Sequence, residues 1–207
     1  MKFRPCIDLH HGCVKQIVGA TLSDSASETL KTNFASDLPA SYYAALYRRD
    51  QLTGGHVIML GPGNEAAAAD ALAAYPGALQ IGGGITAVNA EHWLQAGAEA
   101  VIVTSYVFHN GQIHTDRLQE LATKVGRERL VLDLSCRKRG NAYFVVTDRW
   151  QKFTEVTVSR ESLAYLAGFC AEFLVHAVDV EGQCAGIDEQ LVDLLGRCSP
   201  LPTPYAG

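Results

Sequence analysis

Short apolar runs recur along the chain, and each ends in a glycine, a hydroxyl or an acid before a helical pattern begins. One run ends at Asp8, another at Gly82-Gly83-Gly84, and another at Asp133. Such strands, rich in β-branched residues and without polar alternation, are typical of parallel sheets covered by helices on both faces. Their alternation with helices restricts the chain to the α/β class, as a (β/α)8 barrel or an open doubly wound sheet.

The placement of the polar residues favours the barrel over the open sheet. An open sheet binds its ligand in one crevice at a switch point, whereas a barrel collects chemistry at the carboxyl ends of many strands. Glycine, hydroxyl or acidic residues follow the predicted strands at Asp8, Gly82, Thr104-Ser105, Asp133 and Asp179. We therefore predict a (β/α)8 TIM barrel, formed as a single domain by residues 1–207.

The individual elements follow from apolar periodicity and from cap residues. Strands are predicted at residues 3–9, 14–18, 56–61, 79–82, 100–104, 130–134, 173–178 and 203–206. Helices are predicted at residues 41–49, 64–75, 86–96, 115–125, 159–167 and 188–195, with Asn64, Ser159 and Asp188 as caps. Residues 21–34 indicate a long Ser/Thr-rich loop, and residues 137–158 indicate a β-hairpin excursion.

Composition excludes several classes of protein. The net charge of −5 and the lack of a basic run argue against broad nucleic-acid binding, and no apolar run is long enough to cross a membrane. The six cysteines form no Cys-x-x-Cys pair, which argues against zinc. The polar start of the chain shows no signal segment, so we expect a cytoplasmic protein, or a plastid protein if a transit peptide has been removed.

The triple glycine predicts a phosphate site. Gly82, Gly83 and Gly84 expose backbone N–H groups that can close on an anion, and a helix directly after them would add donors and a positive dipole end. The hydroxyls of Thr104 and Ser105 are candidates to complete a phosphate cup. The structural alternatives are a tight turn at the glycines and ordinary turn capping at the hydroxyls.

Two carboxylates are candidates for acid–base chemistry. Asp8 and Asp133 each end an apolar strand, where a carboxylate is costly unless it is paired, hydrogen-bonded or used. Two such groups can divide acid and base roles if their surroundings push their pKa values apart. Capping of the following turn is the alternative for each of them. His176 and Asp179, at the end of the sixth barrel strand, are further candidates for binding the substrate.

Taken together, these segments resemble the phosphoribosyl isomerases of histidine biosynthesis, and the match runs in order from Phe3 to Gly207 and is closest to the plant and fungal branch. The segments that carry the resemblance are Cys6-Ile7-Asp8-Leu9-His10 with Gly12, Val14-Lys15-Gln16-Ile17-Val18-Gly19, His56-Val57-Ile58-Met59-Leu60-Gly61, Gln80-Ile81-Gly82-Gly83-Gly84-Ile85, Val103-Thr104-Ser105, Leu132-Asp133-Leu134-Ser135-Cys136-Arg137-Lys138 and His176-Ala177-Val178-Asp179-Val180-Glu181-Gly182.

The resemblance implies an enzyme without cofactor or metal that acts on a small molecule with a phosphoribosyl group at each end. The implied reaction is the Amadori rearrangement of N′-phosphoribosylformimino-5-aminoimidazole-4-carboxamide ribotide from its aldose to its ketose form. By the family's motifs, Asp8 is the general base at C2 and Asp133 the general acid that helps to open the ribose ring. Gly83, Gly84, Thr104 and Ser105 would hold one phosphate. We expect a monomeric full-length parent.

The sequence departs from the family pattern in two places. Ala177 stands where many bacterial members carry Thr, which marks the plant and fungal branch. Tyr205-Ala206-Gly207 resembles the start of the family's turn at strand seven, so we expect the barrel to lack the end of strand 7, strand 8, the last helices and the second phosphate site. The alternatives are the sister cyclase barrel of imidazole glycerol phosphate synthase and a non-catalytic remnant that binds one phosphate.

Overall fold

The computed structural model describes residues 2–17, 32–148, 150–183 and 186–207. These residues form two compact units, one within Met1–Gln16 and Thr32–Val103 and the other within Thr104–Gly207. Both units combine parallel strands with helices. The α/β class predicted from the sequence is therefore confirmed, whereas closure into a single (β/α)8 domain stays a prediction.

The first unit contains four parallel strands with a hairpin arm on one side. Its elements are β1 (Cys6–His10), β2 (Cys13–Ile17), β3 (Thr32–Ala35), α1 (Ala40–Arg49), β4 (Gly55–Met59), α2 (Glu65–Ala74), β5 (Leu79–Gly82), α3 (Ala90–Gln95) and β6 (Ala100–Val103). The strand order is β6-β5-β4-β1-β2-β3. Strands β1, β4, β5 and β6 pair in parallel, and β2 runs antiparallel to β1.

The core of this unit lies where the parallel strands meet their covering helices. Ile7, Val57, Ile81 and Val101 are fully buried on adjacent strands. Helices α1 and α2 pack on each other, and the small side chains of α2 permit their close approach. Strands β5 and β6 are buried along their whole length, which explains why their sequences show no polar alternation.

The second unit begins with a short hairpin and contains a larger antiparallel excursion. Its elements are β7 (Phe108–His109), β8 (Gln112–Ile113), α4 (Thr115–Val125), β9 (Leu130–Asp133), β10 (Cys136–Arg139), β11 (Ala142–Thr147), β12 (Lys152–Thr157), α5 (Arg160–Leu166), β13 (Glu172–His176), α6 (Glu189–Cys198) and β14 (Tyr205–Ala206), with a 3₁₀ turn at Arg127–Arg129. Strand β13 lies between β9 and β14 and is parallel to both. Strands β10, β11 and β12 form a separate antiparallel sheet, as the sequence predicts.

Two helices of the second unit begin at the predicted caps. The side chain of Ser159 accepts a hydrogen bond from the backbone N–H of Ser162, whose own side chain accepts one from the Ser159 N–H, so the two form a capping box. The carboxylate of Asp188 accepts from the backbone N–H of Leu191 at the start of α6. Both caps satisfy N–H groups that a helix cannot pair internally.

Three details differ from the sequence predictions. Helix α3 begins at Ala90 and not directly after the glycines. Strand β3 occupies part of the predicted loop, and residues 21–31 of that loop lie outside the described residues. Asn64 precedes α2 but makes no capping hydrogen bond to it. Among the described residues, no helix combines the length and the apolar character that a membrane crossing requires.

Candidate active site

Asp133 ends β9, and three polar groups of the second unit converge on its carboxylate. Its Oδ1 accepts hydrogen bonds from the Ser135 N–H at 2.8 Å and from the Ser135 hydroxyl at 2.7 Å. Nδ1 of His176 lies 3.3 Å from the same oxygen and 3.2 Å from the Ser135 hydroxyl. The pairing of Leu174 with Asp133 in register places His176, two residues further along β13, at this strand end.

These contacts explain the protonation state of the Asp133 carboxyl. Burial alone would raise its pKa, but the positive charge available on His176 and the hydrogen bonds from His176 and Ser135 outweigh burial and lower the pKa below its usual range. Asp133 is therefore ionised in the free protein at neutral pH. The sequence predicts Asp133 and His176 but not Ser135, although its position two residues after Asp133 suits a local hydroxyl-to-carboxylate bond.

Asp179 serves a different set of contacts from Asp133. Its Oδ1 accepts from Arg137 Nε at 2.8 Å and its Oδ2 accepts from the Lys138 N–H at 2.9 Å. Both partners lie on β10, so Asp179 links the antiparallel sheet of β10, β11 and β12 to the segment after β13 by hydrogen bonds. The side chain of Arg137 also stacks on Phe153, with its guanidinium carbon 5.7 Å from the ring centroid. The charge of Arg137 is thus partly neutralised by Asp179.

Asp8 lies on β1 in the first unit, opposite Ile58 of β4. Its neighbours Ile7 and Leu9 are fully buried, so Asp8 is on the other face of the strand, where it is partly exposed. The thiol of Cys6 donates to Asp8 Oδ1 at 3.1 Å. A carboxylate near the carboxyl end of a parallel strand, accessible on one face, is suited to moving a proton on a bound ligand.

The three glycines have three different structural roles. A Cβ on Gly82 would lie 3.0 Å from the Ile58 side chain and 3.1 Å from Ile102, so packing between strands requires a small residue there. A Cβ on Gly83 would lie 2.1 Å from the carbonyl oxygen of Met59. Gly84 is exposed, with φ of +69°, and has open space at its Cβ position. Of the three, Gly84 is the glycine at which packing leaves the space around the Cβ position open to a ligand.

A depression of about 310 Å³ lies beside Gly83 and Gly84. Its other lining residues are Met59, Gly61, Pro62, Glu65, Asn89 and Trp93. The segment between Gly84 and α3 is held by Asn89, whose side chain accepts from the Thr86 N–H at 2.8 Å and donates to the Gly84 carbonyl at 3.0 Å. Because α3 starts six residues after Gly84, the prediction that a helix directly after the glycines adds N–H donors for an anion is wrong.

Thr104 and Ser105 follow β6 by one and two residues, in a turn of the second unit. The Thr104 carbonyl accepts from the N–H groups of Val107 and Phe108. Their predicted role in binding phosphate stays a prediction.

Asn64, which sequence reasoning treats only as a helix cap, is a fully buried bridge in the first unit. Its Oδ1 accepts from the Gly12 N–H at 2.8 Å, and its Nδ2 donates to the Gly61 carbonyl at 2.9 Å. The side chain therefore ties the turn after β1 to the loop after β4. The Asn-Glu pair at the start of an alanine-rich helix gives no signal for these partners, since Gly12 is 52 residues away.

The described residues contain no group of three or more His, Cys, Asp and Glu side chains placed to hold a metal ion. They do contain carboxylates near the carboxyl ends of parallel strands in both units, a glycine turn open to solvent and an ionised aspartate with a histidine partner. These features define an α/β protein equipped for acid–base chemistry on a small molecule.

The chain belongs to a family described as histidine biosynthesis protein, whose sequence model matches residues 2–207. It is 57% identical to a chloroplastic protein of Medicago truncatula, in an alignment that covers all of this chain and 68% of the relative. It is 52% identical to a Neurospora crassa protein and 51% identical to a Yarrowia lipolytica protein, with all of this chain and 81% of each relative covered. All three relatives are named 1-(5-phosphoribosyl)-5-((5-phosphoribosylamino)methylideneamino)imidazole-4-carboxamide isomerase. The resemblance to plant and fungal members is confirmed.

Proposed function

We propose that this chain is the aldose–ketose isomerase of histidine biosynthesis that acts on the bis-phosphorylated imidazole carboxamide named in its relatives. The observation that carries the proposal is Asp133, a largely enclosed carboxylate held ionised at the carboxyl end of a parallel strand by Ser135 and His176. A carboxylate that only caps the following turn would not require a histidine partner such as His176. The isomerase name shared by relatives at up to 57% identity favours this activity over the cyclase and over a non-catalytic remnant.

The proposed reaction needs a proton donor, a proton acceptor and a fixed substrate. A proton from the Asp133 end goes to the ribose ring oxygen as the bond between that oxygen and C1 breaks, and the nitrogen lone pair forms a C=N bond. Asp8 then takes the C2 proton to give an enaminol. Asp8 returns that proton to C1, and the C2 hydroxyl releases its own proton as the ketose forms. Placing acid and base by fixed strands reduces the entropic cost of this sequence.

The residues proposed to contact phosphate are Gly84 in the first unit and Thr104 and Ser105 in the second. Support comes from the open space at Gly84 and from the backbone N–H and hydroxyl groups that the three residues offer. Gly83, which lines the same depression as Gly84, is proposed to offer its N–H as well, whereas Gly82 supports the turn by packing between strands. His176 and Asp179 are proposed to act through Asp133 and through Arg137 respectively.

The substitution Asp8→Asn tests the proposed chemistry. It keeps the size of the side chain and removes the base, so kcat should fall by about 10²-fold to 10⁴-fold while the substrate still binds. Asp70→Asn is the matched control, since Asp70 is exposed on α2, and it should leave kcat unchanged. Rearrangement is followed by its optical change, and substrate binding by calorimetry. Near-normal turnover by the Asp8 variant would contradict the assignment.

Fold and location complete the proposal. We propose the (β/α)8 barrel as the fold of the family's complete enzyme and a plastid or cytoplasmic location for this chain. The chloroplastic Medicago relative supports the plastid location. Fractionation of the source cells, followed by detection of the protein in each fraction, tests the location.

A further inference from the structure

Asp133 and His176 form a closely enclosed pair in the second unit. Only 15% of the Asp133 side chain and 14% of the His176 side chain are exposed. Nδ1 of the histidine lies 3.3 Å from Asp133 Oδ1, and the Ser135 hydroxyl contacts both groups. The His176 ring also faces the ring of Trp150, with the centroids 5.8 Å apart and the planes tilted by 42°. Little water is therefore available to solvate either charge separately.

The hydrogen bonds to Asp133 favour its charged form. The N–H and the hydroxyl of Ser135 both donate to Oδ1, and each of these bonds is stronger to a carboxylate than to a neutral acid. The pKa of Asp133 lies below its usual range for this reason and because of His176, despite the opposing effect of burial. A general acid must carry a proton at the working pH, and Asp133 by itself does not meet that requirement near neutrality.

Other titratable groups around the pair do not supply the missing proton. The thiol of Cys136 is buried, and burial together with the charges of Asp133, Asp188 and Asp179 raises its pKa to about 12. Asp179 is bound to Arg137, and Asp188 accepts from the Tyr143 hydroxyl through both oxygens at 2.8 Å.

One more titratable group, Tyr205, lies close to Asp188. Tyr205 has a pKa raised by burial and by the charges of Asp188 and Glu181. Neither a phenol with a raised pKa nor a carboxylate replaces an imidazole as a group that exchanges protons near pH 7. His176 is thus the partner of Asp133 whose side-chain type is suited to exchanging a proton near neutral pH.

We infer that Asp133 and His176 hold one proton between them, and that this shared proton is the acid of the isomerisation proposed above. The inference rests on that proposed function. On ring opening, the pair gives its proton to the ribose ring oxygen while the C1–O electron pair moves to that oxygen. When the enol becomes the ketone, Asp8 returns the C2 proton to C1, and the proton released by the C2 hydroxyl restores the proton of the pair, so the cycle consumes none. His176 is then a positioning residue that acts through Asp133, and the two groups titrate as a unit.

The pH dependence of kcat in His176→Asn tests the inference. Asparagine can still donate a hydrogen bond to Asp133 but cannot carry the proton, so the acid must become Asp133 alone. The alkaline limb of the profile should move towards acid by about two pH units or more, which is the interval between ordinary histidine and aspartate pKa values. A purely structural role for His176 would lower kcat at every pH and leave the limb in place, which would overturn the inference. His92→Asn, at an exposed position on α3, is the control and should leave the profile unchanged.

Histidine NMR gives a second readout that does not depend on turnover. In protein labelled with ¹⁵N-histidine, the resonance absent from His176→Asn identifies His176, and its pKa is read from a pH titration. Asp133→Asn should lower that pKa by about one unit or more, because it removes an opposite charge within 4 Å. An unchanged pKa would overturn the pairing.

The two readouts separate the inference from the proposed function. If the parent chain binds substrate without converting it, the isomerase proposal fails while the NMR titration still decides whether the pair shares a proton. If the parent is active and the alkaline limb of His176→Asn does not move, the isomerase proposal stands and the shared-proton inference fails.

Discussion

Replacing Gly83 by alanine should disrupt the first unit more than any ordinary glycine substitution in a turn. Gly83 has φ of +92°, and a Cβ there would lie 2.1 Å from the carbonyl oxygen of Met59 and 2.8 Å from its carbonyl carbon. The left-handed conformation costs an alanine about 1–2 kcal/mol. Moving a packed backbone to make room costs about 1–3 kcal/mol more. The free energy of unfolding should therefore fall by about 2–5 kcal/mol, which is a large part of a typical domain stability of about 5–15 kcal/mol.

Gly84→Ala is the matched control, because Gly84 also has positive φ but no atom within 4 Å of its Cβ position. Only the conformational cost applies there, about 1–2 kcal/mol. Urea unfolding followed by circular dichroism should show a lower midpoint for Gly83→Ala than for Gly84→Ala at similar slope. Equal midpoints would refute the argument that contact with the Met59 backbone fixes the glycine.

The same pair of variants separates packing from ligand binding. Inorganic phosphate should raise the Tm of the parent by mass action, and it should protect Gly84→Ala less if the added methyl group occupies the space where the anion binds. Substitution at Gly83 cannot test this point, because loss of packing would remove the turn whether or not it binds phosphate.

Two further predictions concern buried polar groups. Asn64→Ala should cost about 2–4 kcal/mol, because it leaves the Gly12 N–H and the Gly61 carbonyl without their buried partner; a loss below about 1 kcal/mol in urea unfolding would contradict this. Asp133 has a lowered pKa, so its contribution to stability is present above the unfolded-state pKa of about 3.9 and is lost as the pH falls through the folded-state value. The free energy of unfolding, measured between neutral and acid pH, should therefore fall less steeply with decreasing pH in Asp133→Asn than in the parent. Identical pH dependences in the two proteins would count against the pairing with His176.

The central strands and most helices could be predicted because their signals are local. Strand β5 and helix α4 have the predicted bounds, since a fully apolar run and a 3.6-residue period survive in the sequence. Strand β3 was not predicted, and all four of its residues are exposed, so it carries no pattern of burial. The predicted start of α3 was also wrong, because the side chain of Asn89 hydrogen-bonds to the backbone of Gly84 and Thr86 and holds the residues before the helix in a turn.

The site could be predicted only in part, for a related reason. Asp133 was found because an acid at the end of an apolar strand is unusual. Its contact with His176 depends on the register between β9 and β13, where Leu174 lies opposite Asp133. No local pattern encodes such a register across 43 residues. The bridge from Asn64 to Gly12 escapes sequence reasoning in the same way.

The positions of the two tryptophans give this protein its own optical reporters. Trp93 lines the depression beside Gly83 and Gly84, and Trp150 faces the His176 ring, and the chain contains no other tryptophan. Emission from Trp93 should therefore respond to an anion at the glycine turn, and emission from Trp150 should respond to the charge on His176. Replacing one tryptophan at a time by phenylalanine would assign each signal, so that ligand binding and proton uptake could be followed separately in one unlabelled sample.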